Sequence, residues 1–202
     1  MTRLLPVSAS SARRSGRGGA ARLAGVTLIE LMLTLAIAGI VVTLGAPSFV
    51  HMLARHAMAS QAEQLQDALR LGRNEAMKRG GPVVLCRTDA LATSRCAGTG
   101  GSWQTWLLFA DVDRDGAFDA GDALLRQRLE GSNRTSVDSP TASLRFESTG
   151  IARSDGGAAV AFLFEPSAAA SGAIGADRAS QRRVCVNPRG EIALVAGGAP
   201  CP

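Results

Sequence analysis

Residues 25–49 read G-V-T-L-I-E-L-M-L-T-L-A-I-A-G-I-V-V-T-L-G-A-P-S-F, and this stretch decides how the rest of the chain is read. From Val26 to Ala46 it holds a single ionisable side chain, Glu30. A helix rises 1.5 Å per residue, so about 20 apolar residues cross a bilayer core of about 30 Å. The run predicts a membrane-spanning helix. A carboxylate at mid-membrane depth costs about 2.5–3.5 kcal/mol, so an acid inside such a run marks a functional position. Glu30 lies near one end of the run, where that cost is smaller. Arg3, Arg13, Arg14, Arg17 and Arg22 precede it with no acid among them. Basic flanks stay cytoplasmic, which places the carboxy-terminal bulk of the chain on the far side of the membrane. An ordinary secretory signal has a shorter apolar run without a carboxylate, and a twin-arginine signal carries its apolar run directly behind the arginine pair.

G-V-T-L-I-E-L closely resembles the processing site of type IV prepilins and type II secretion pseudopilins. The resemblance implies that a prepilin peptidase cuts after Gly25 and that the new terminus, Val26, is N-methylated. Val26 departs from the phenylalanine usual there. The family's acid at the fifth mature position falls on Glu30, and its helix proline on Pro47. An unpaired buried charge is costly. The resemblance supplies a partner for Glu30, the methylated amine of the neighbouring subunit in a fibre. The other reading of Glu30 has it reaching back to the lipid headgroups.

Working outward, residues 1–25 form a leader, longer than most in the family. Five of the 22 basic residues lie in it, which leaves 17 against 17 acids in the remainder. The high isoelectric point therefore belongs to the leader and signals no nucleic-acid partner. Beyond the span (26–47), residues 48–80 read as an amphipathic helix. Leu53, Ala57, Ala62, Leu65, Ala68, Leu69, Ala76 and Met77 recur near the helical period. Pro47 is expected to kink the helix and Gly80-Gly81-Pro82 to end it. His51 and His56 are five apart, so they do not share a face as a metal pair would.

Residues 81–202 switch to short strands between turn residues: Val83–Arg87, Trp103–Ala110, Leu124–Leu129, Ser143–Glu147, Ala159–Phe164, Arg183–Val186 and Glu191–Val195. The fold class is α+β, a long helix laid against the apolar face of an antiparallel sheet, as in pilins. Pro166–Gly175 is an Ala/Ser/Gly loop. Four cysteines in an exported domain suggest two disulfides. Local pairing, Cys86–Cys96 and Cys185–Cys201, needs only short loop closures. There is no C-x-x-C for zinc.

Asp111-Val-Asp-Arg-Asp115-Gly116-Ala-Phe-Asp119-Ala-Gly-Asp122 has the D-x-D-x-D-G spacing of calcium loops. Asp111, Asp113, Asp115 and Asp122 are the candidate ligands. The other reading is a turn whose aspartates cap backbone amides. W-x-x-W-L-L-F-A-D-V-D-R-D-G resembles a segment common to the FimT/FimU and GspH branch of the pilin family, as does Arg73–Cys86; no metal is implied by that likeness. Arg182, Arg183 and Arg189 are candidate DNA contacts, because competence-associated members of that branch use a C-terminal G-R-x-R motif. This chain reads N-P-R-G-E there, with Glu191 beside the arginine, and phosphate binding needs several net cations.

No nucleophile–base pair, phosphate loop or catalytic carboxylate pair stands out, so no enzyme activity and no cofactor apart from calcium is expected. The expected function is a structural minor pilin or pseudopilin of a type IV pilus or type II secretion system. Its partners would be other pilins through the helix, the peptidase and the inner membrane. The alternative is a DNA-binding minor pilin of a competence pilus.

Overall fold

The computed structural model describes residues 25–89, 92–157, 159–167, 181–196 and 198–202, without side-chain placement at 44–48, 50–51 and 92–94. The leader up to residue 24, most of the Ala/Ser/Gly loop and the His51 side chain thus lie outside the described residues.

The chain divides into two compact units, up to Val41 and from Val42 to Pro202. Helix α1 is assigned from Leu28 to Arg79. In the first unit its start is capped by Thr27, whose Oγ1 accepts the Glu30 amide at 3.3 Å. T-L-I-E is half of a capping box, and Glu30 in the first turn suits the helix dipole. In the second unit α1 is assigned helical through position 47 and ends on Gly80, at φ +66. That left-handed geometry is the glycine C-cap expected from the sequence.

Eleven strands follow among the described residues: β1 (Val83–Asp89), β2 (Ala92–Cys96), β3 (Gly101–Ser102), β4 (Trp106–Ala110), β5 (Ala123–Arg128), β6 (Thr135–Ser139), β7 (Ser143–Phe146), β8 (Ala152–Ser154), β9 (Val160–Pro166), β10 (Arg182–Val186) and β11 (Ile192–Ala196). They form two antiparallel sheets, not the single sheet expected. One runs β5-β4-β1-β7-β8 with β2 beside β1; the other runs β11-β10-β9-β6-β3. The sequence reading missed β2, β3, β6 and β8. The expected strand over Trp103–Ala110 begins only at Trp106.

One core joins helix and both sheets. Ala62, Leu65, Ala68, Leu69 and Ala76 of α1 meet Val83, Leu85, Leu108, Leu144 and Phe146 of the first sheet and Val137, Val160, Phe162, Phe164, Val184 and Val186 of the second. The inward residues of β1 and β9 alternate, as a pleated strand requires. Gly72 lets the helix approach closely: a Cβ there would lie 2.9 Å from Leu108 Cδ1 and 3.4 Å from Phe146 Cδ2. Farther up, the buried helix stripe uses Ala54 and Met58, whereas Leu53 and Ala57 are half-buried and Met77 is exposed. Trp103 knits the sheets together. Its ring meets Phe162 edge-on at 4.8 Å, and its Nε1 donates to Thr141 O at 2.9 Å.

The outer face of the first sheet has its own small cluster, Val84, Cys86, Leu107 and Phe109, covered by Cys96 and Phe118. Both faces of β1 are therefore buried, which accounts for its unbroken V-V-L-C run.

Arg73 ties three elements together. Its Nε donates to Gly150 O at 3.2 Å, in the β7–β8 turn, and its Nη2 donates to Arg189 O at 3.3 Å, in the β10–β11 turn. Ala152 N also donates to Pro188 O at 3.1 Å, so the two sheets are bridged at that end by backbone.

Candidate functional site

The amino-terminal unit presents Gly25, Val26 and Glu30 at the surface. Large apolar side chains are exposed at Val26, just ahead of α1, and along α1 at Leu28, Ile29, Leu31, Met32, Leu33, Leu35, Ile37, Ile40 and Val41, more than half their area each. At 100° per residue these positions fall on every side of the helix. A contiguous apolar surface of this kind marks a site that meets another apolar phase. The side chains of this run are placed only as far as Thr43. Among the described residues no helix is long and apolar enough to cross a membrane. The expected span over Val26–Ala46, some of whose side chains lie outside the described residues, is thus not found among them.

The acidic loop between β4 and β5 is held by its own carboxylates. Asp111 Oδ2 accepts Gly116 N at 3.1 Å, Asp113 Oδ1 accepts Asp115 N at 3.3 Å, and Asp115 Oδ1 accepts Ala117 N at 2.7 Å. Asp119 Oδ1 accepts Gly121 N at 2.7 Å. Asp122 closes the loop, Oδ1 on Val112 N at 2.8 Å and Oδ2 on Asp119 N at 3.1 Å. Arg114 and Gly116 take positive φ, 69° and 81°, to let the chain curl around these acceptors. Phe118 packs on Phe109 with ring centroids 5.2 Å apart and pins the loop to the sheet.

One carboxylate oxygen from each of Asp111, Asp113 and Asp115 lies within 4.8 Å of the other two. Asp122, the fourth candidate from the sequence, is not in that group; its two oxygens are spent on loop amides. The Asp111 side chain is fully buried and pairs with Arg145 Nη2 at 3.0 Å. Burial raises its pKa above the ordinary value, opposed first by the Arg145 charge. Arg145, supplied from β7, is the residue of this site that sequence reading missed. It lies 34 positions away from Asp111, a separation no local motif encodes.

The disulfides pair as expected: Cys86–Cys96, with Cα atoms 5.4 Å apart, and Cys185–Cys201, at 5.6 Å. The first sits against the outer cluster of the first sheet. The second ties the carboxy-terminal tail to β10.

The arginines proposed for DNA are not gathered. Arg182 and Arg183 are neighbours on β10, so they point to opposite faces of the sheet. Arg183 Nη1 donates to Ala199 O at 2.9 Å, and Arg182 Nη1 to Gln181 O at 3.2 Å. Arg189 lies at the other end of the strand, in the β10–β11 turn. There Glu191 accepts the Asn187 side-chain amide and donates its own N–H to Asn187 Oδ1 at 3.0 Å.

Residues 61–190 match the family model described as type II transport protein GspH. Among solved structures, the chain is similar to the type IV minor pilin FimU of Pseudomonas aeruginosa: 16% identity, TM-score 0.49, covering 70% of this chain and 90% of that one. It is also similar to the minor pseudopilin EpsH from the Type 2 Secretion System of Vibrio cholerae: 18% identity, TM-score 0.46, covering 70% and 98%. No curated protein sequence matches. The family model spans the lower helix, the first sheet and the second sheet short of β11, and on that match the chain belongs to the type II transport protein GspH family.

Proposed function

We propose that this chain is a minor pilin or pseudopilin, a structural rather than catalytic subunit of a pilus or type II secretion fibre. The leader is cut after Gly25 by the prepilin peptidase and Val26 is N-methylated. The helix over 26–47 holds the subunit in the inner membrane as a single pass, with the β domain in the periplasm. The same helix then bundles with those of other pilins in the fibre. The observation that carries the reading is the apolar surface on every side of α1 from Leu28 to Val42. Such a surface stays soluble only under lipid or other helices.

Cutting after Gly25 would create a cation at Val26, four residues from Glu30. Within a bundle of apolar helices each of these charges needs an opposite partner. A subunit shifted along the fibre axis could pair its amine with the carboxylate of its neighbour, which would set the stacking register.

The test has two arms. Mass spectrometry of membranes from the source cell should find a chain starting at Val26, methylated. Glu30→Ala should be cut and inserted but absent from sheared fibres. Incorporation of Glu30→Ala at the wild-type level, or a leader still attached in assembled material, overturns the reading.

A further inference from the structure

A groove of 630 Å³ runs between α1 and the connection from β5 to β6. Ser60, Gln61 and Gln64 line one wall, and Arg128, Ser132 and Arg134 line the other. None of the residues lining it is acidic. Arg128 is half-buried and held in place by neutral acceptors. Its Nε donates to Gln104 O at 3.2 Å and to Glu130 O at 3.1 Å, and its Nη1 donates to Gln64 Oε1 at 2.9 Å. Glu130 thus offers its backbone carbonyl and not its charge. Neither Arg128 nor Arg134 pairs with a carboxylate among the described residues. Burial works against the Arg128 charge and lowers its pKa. A cation held partly out of water with no opposite charge is a costly arrangement.

Gln61 is a second unanswered group at the same place. It is 7% exposed, and its Oε1 accepts no hydrogen bond. It lines both the groove and the small cavity against Leu65, Trp103 and Trp106. Buried polar atoms without partners are rare in native proteins.

The complementary charge lies at the other end of β5. Over residues 112–122 four aspartates stand against one arginine. Asp113, Asp115 and Asp119 are exposed, and each spends one oxygen on a loop amide. None of the three pairs with a cation among the described residues. Val112 is exposed beside them. Asp111 N donates to Pro82 O at 3.1 Å, which sets this loop at the carboxy end of α1. The groove opens on α1 at Ser60–Gln64, about 25 Å back along the helix at 1.5 Å per residue. One molecule therefore carries an acidic projection and a basic recess that its own fold keeps apart.

We propose that the groove receives the acidic loop of a second copy of this chain. The two surfaces differ, so the contact is heterologous: each copy keeps one free loop or one free groove, and copies add head to tail. The setting rests on the fibre reading above, in which subunits are shifted along one axis by their stacked helices. Arg128 is fixed before contact by its three bonds, and its Nη2 donates to no described group, so it meets an incoming carboxylate with little ordering left to do. Opposite charges of this kind set approach and register, and salt screens them.

The experiment follows the full chain by sedimentation velocity in detergent micelles loaded at one chain per micelle. The parent should associate with rising concentration at low salt, and its association constant should fall at least about tenfold at ten times the salt. Arg134→Glu reverses a charge of the groove. Asp113→Asn with Asp115→Asn and Asp119→Asn neutralises the loop and keeps every amide acceptor. Each variant alone should stay single. Mixed, the two should form one-to-one pairs and nothing larger, because one retains the loop and the other the groove. Tryptophan fluorescence reports folding, since Trp103 and Trp106 are both buried. A parent that stays single at low salt overturns the proposal, whichever other subunit then fills the groove. So does a folded variant that associates as the parent does, which is the behaviour of contact through the apolar helices, or a mixture that gives no pairs. Fibre incorporation is scored separately. A chain cut at Gly25 and found in sheared fibres, yet single in micelles, sinks this contact and leaves the fibre reading standing.

Discussion

Gly190→Ala tests the joint between the two sheets. Gly190 sits at φ +77 in the β10–β11 turn. A Cβ added there would lie 2.0 Å from Gly150 O and 3.0 Å from Arg73 Nε. The first contact involves backbone on both sides, so neither partner can rotate away. Left-handed backbone costs an L-residue about 1–2 kcal/mol. Overpacking a site that cannot relax adds about 1–3 kcal/mol. Losing either the Arg73 donation or the Ala152 N to Pro188 O bond adds about 0.5–1.5 kcal/mol more. These terms overlap, and the expected loss is about 3–5 kcal/mol, a large fraction of a domain's stability. Gly80→Ala is the control: its φ is +66, but an added Cβ meets nothing within 4 Å. It keeps the backbone cost alone, about 1–2 kcal/mol, reduced by the smaller entropy of the unfolded chain. Urea unfolding followed by tryptophan fluorescence reads both variants, because the two tryptophans lie in the core. If Gly190→Ala loses no more stability than Gly80→Ala, the Arg73 knot is not a fixed joint and the reasoning fails.

Gly72→Ala should change stability little, because the helix gains about 1 kcal/mol while the end of the Leu108 side chain gives way, whereas Gly72→Leu should lose at least about 1–3 kcal/mol in the same urea assay. Non-reducing peptide mapping should recover both local disulfides, and Cys201→Ser with Cys185→Ser should lower stability by about 3 kcal/mol for a loop of this size. A gel shift with duplex DNA at physiological salt should show no complex, since Arg182, Arg183 and Arg189 are dispersed and partly engaged; a clear shift would put the alternative, DNA-uptake reading ahead.

What the residues alone determined follows from short-range physics. The apolar run with one acid, the helix ending at Gly80-Gly81-Pro82, the local cysteine pairs and the amide-capping aspartates each depend on neighbours within about one or two dozen positions. The missed strands are short or polar, and their burial is supplied by distant partners. Thr135, Val137 and Ser139 of β6 are buried, yet T-S-V-D-S has one apolar residue, and only β9 and β3 on either side make it a strand. The T-x-x-E cap at Thr27–Glu30 was legible but overshadowed by the stronger reading of the same acid.

Tertiary structure alone decided what long-range contact decides. It split the strands into two sheets, placed Arg145 against Asp111, and left one Asp111 oxygen buried without a donor. It drew Asp113 and Asp115 to that carboxylate and set Asp122 on the amides of Val112 and Asp119. It also set Arg182 and Arg183 on opposite faces of a strand. Spacing along a chain tells which groups are near in sequence; only the folded backbone tells which of them share a space and which charges go unanswered there.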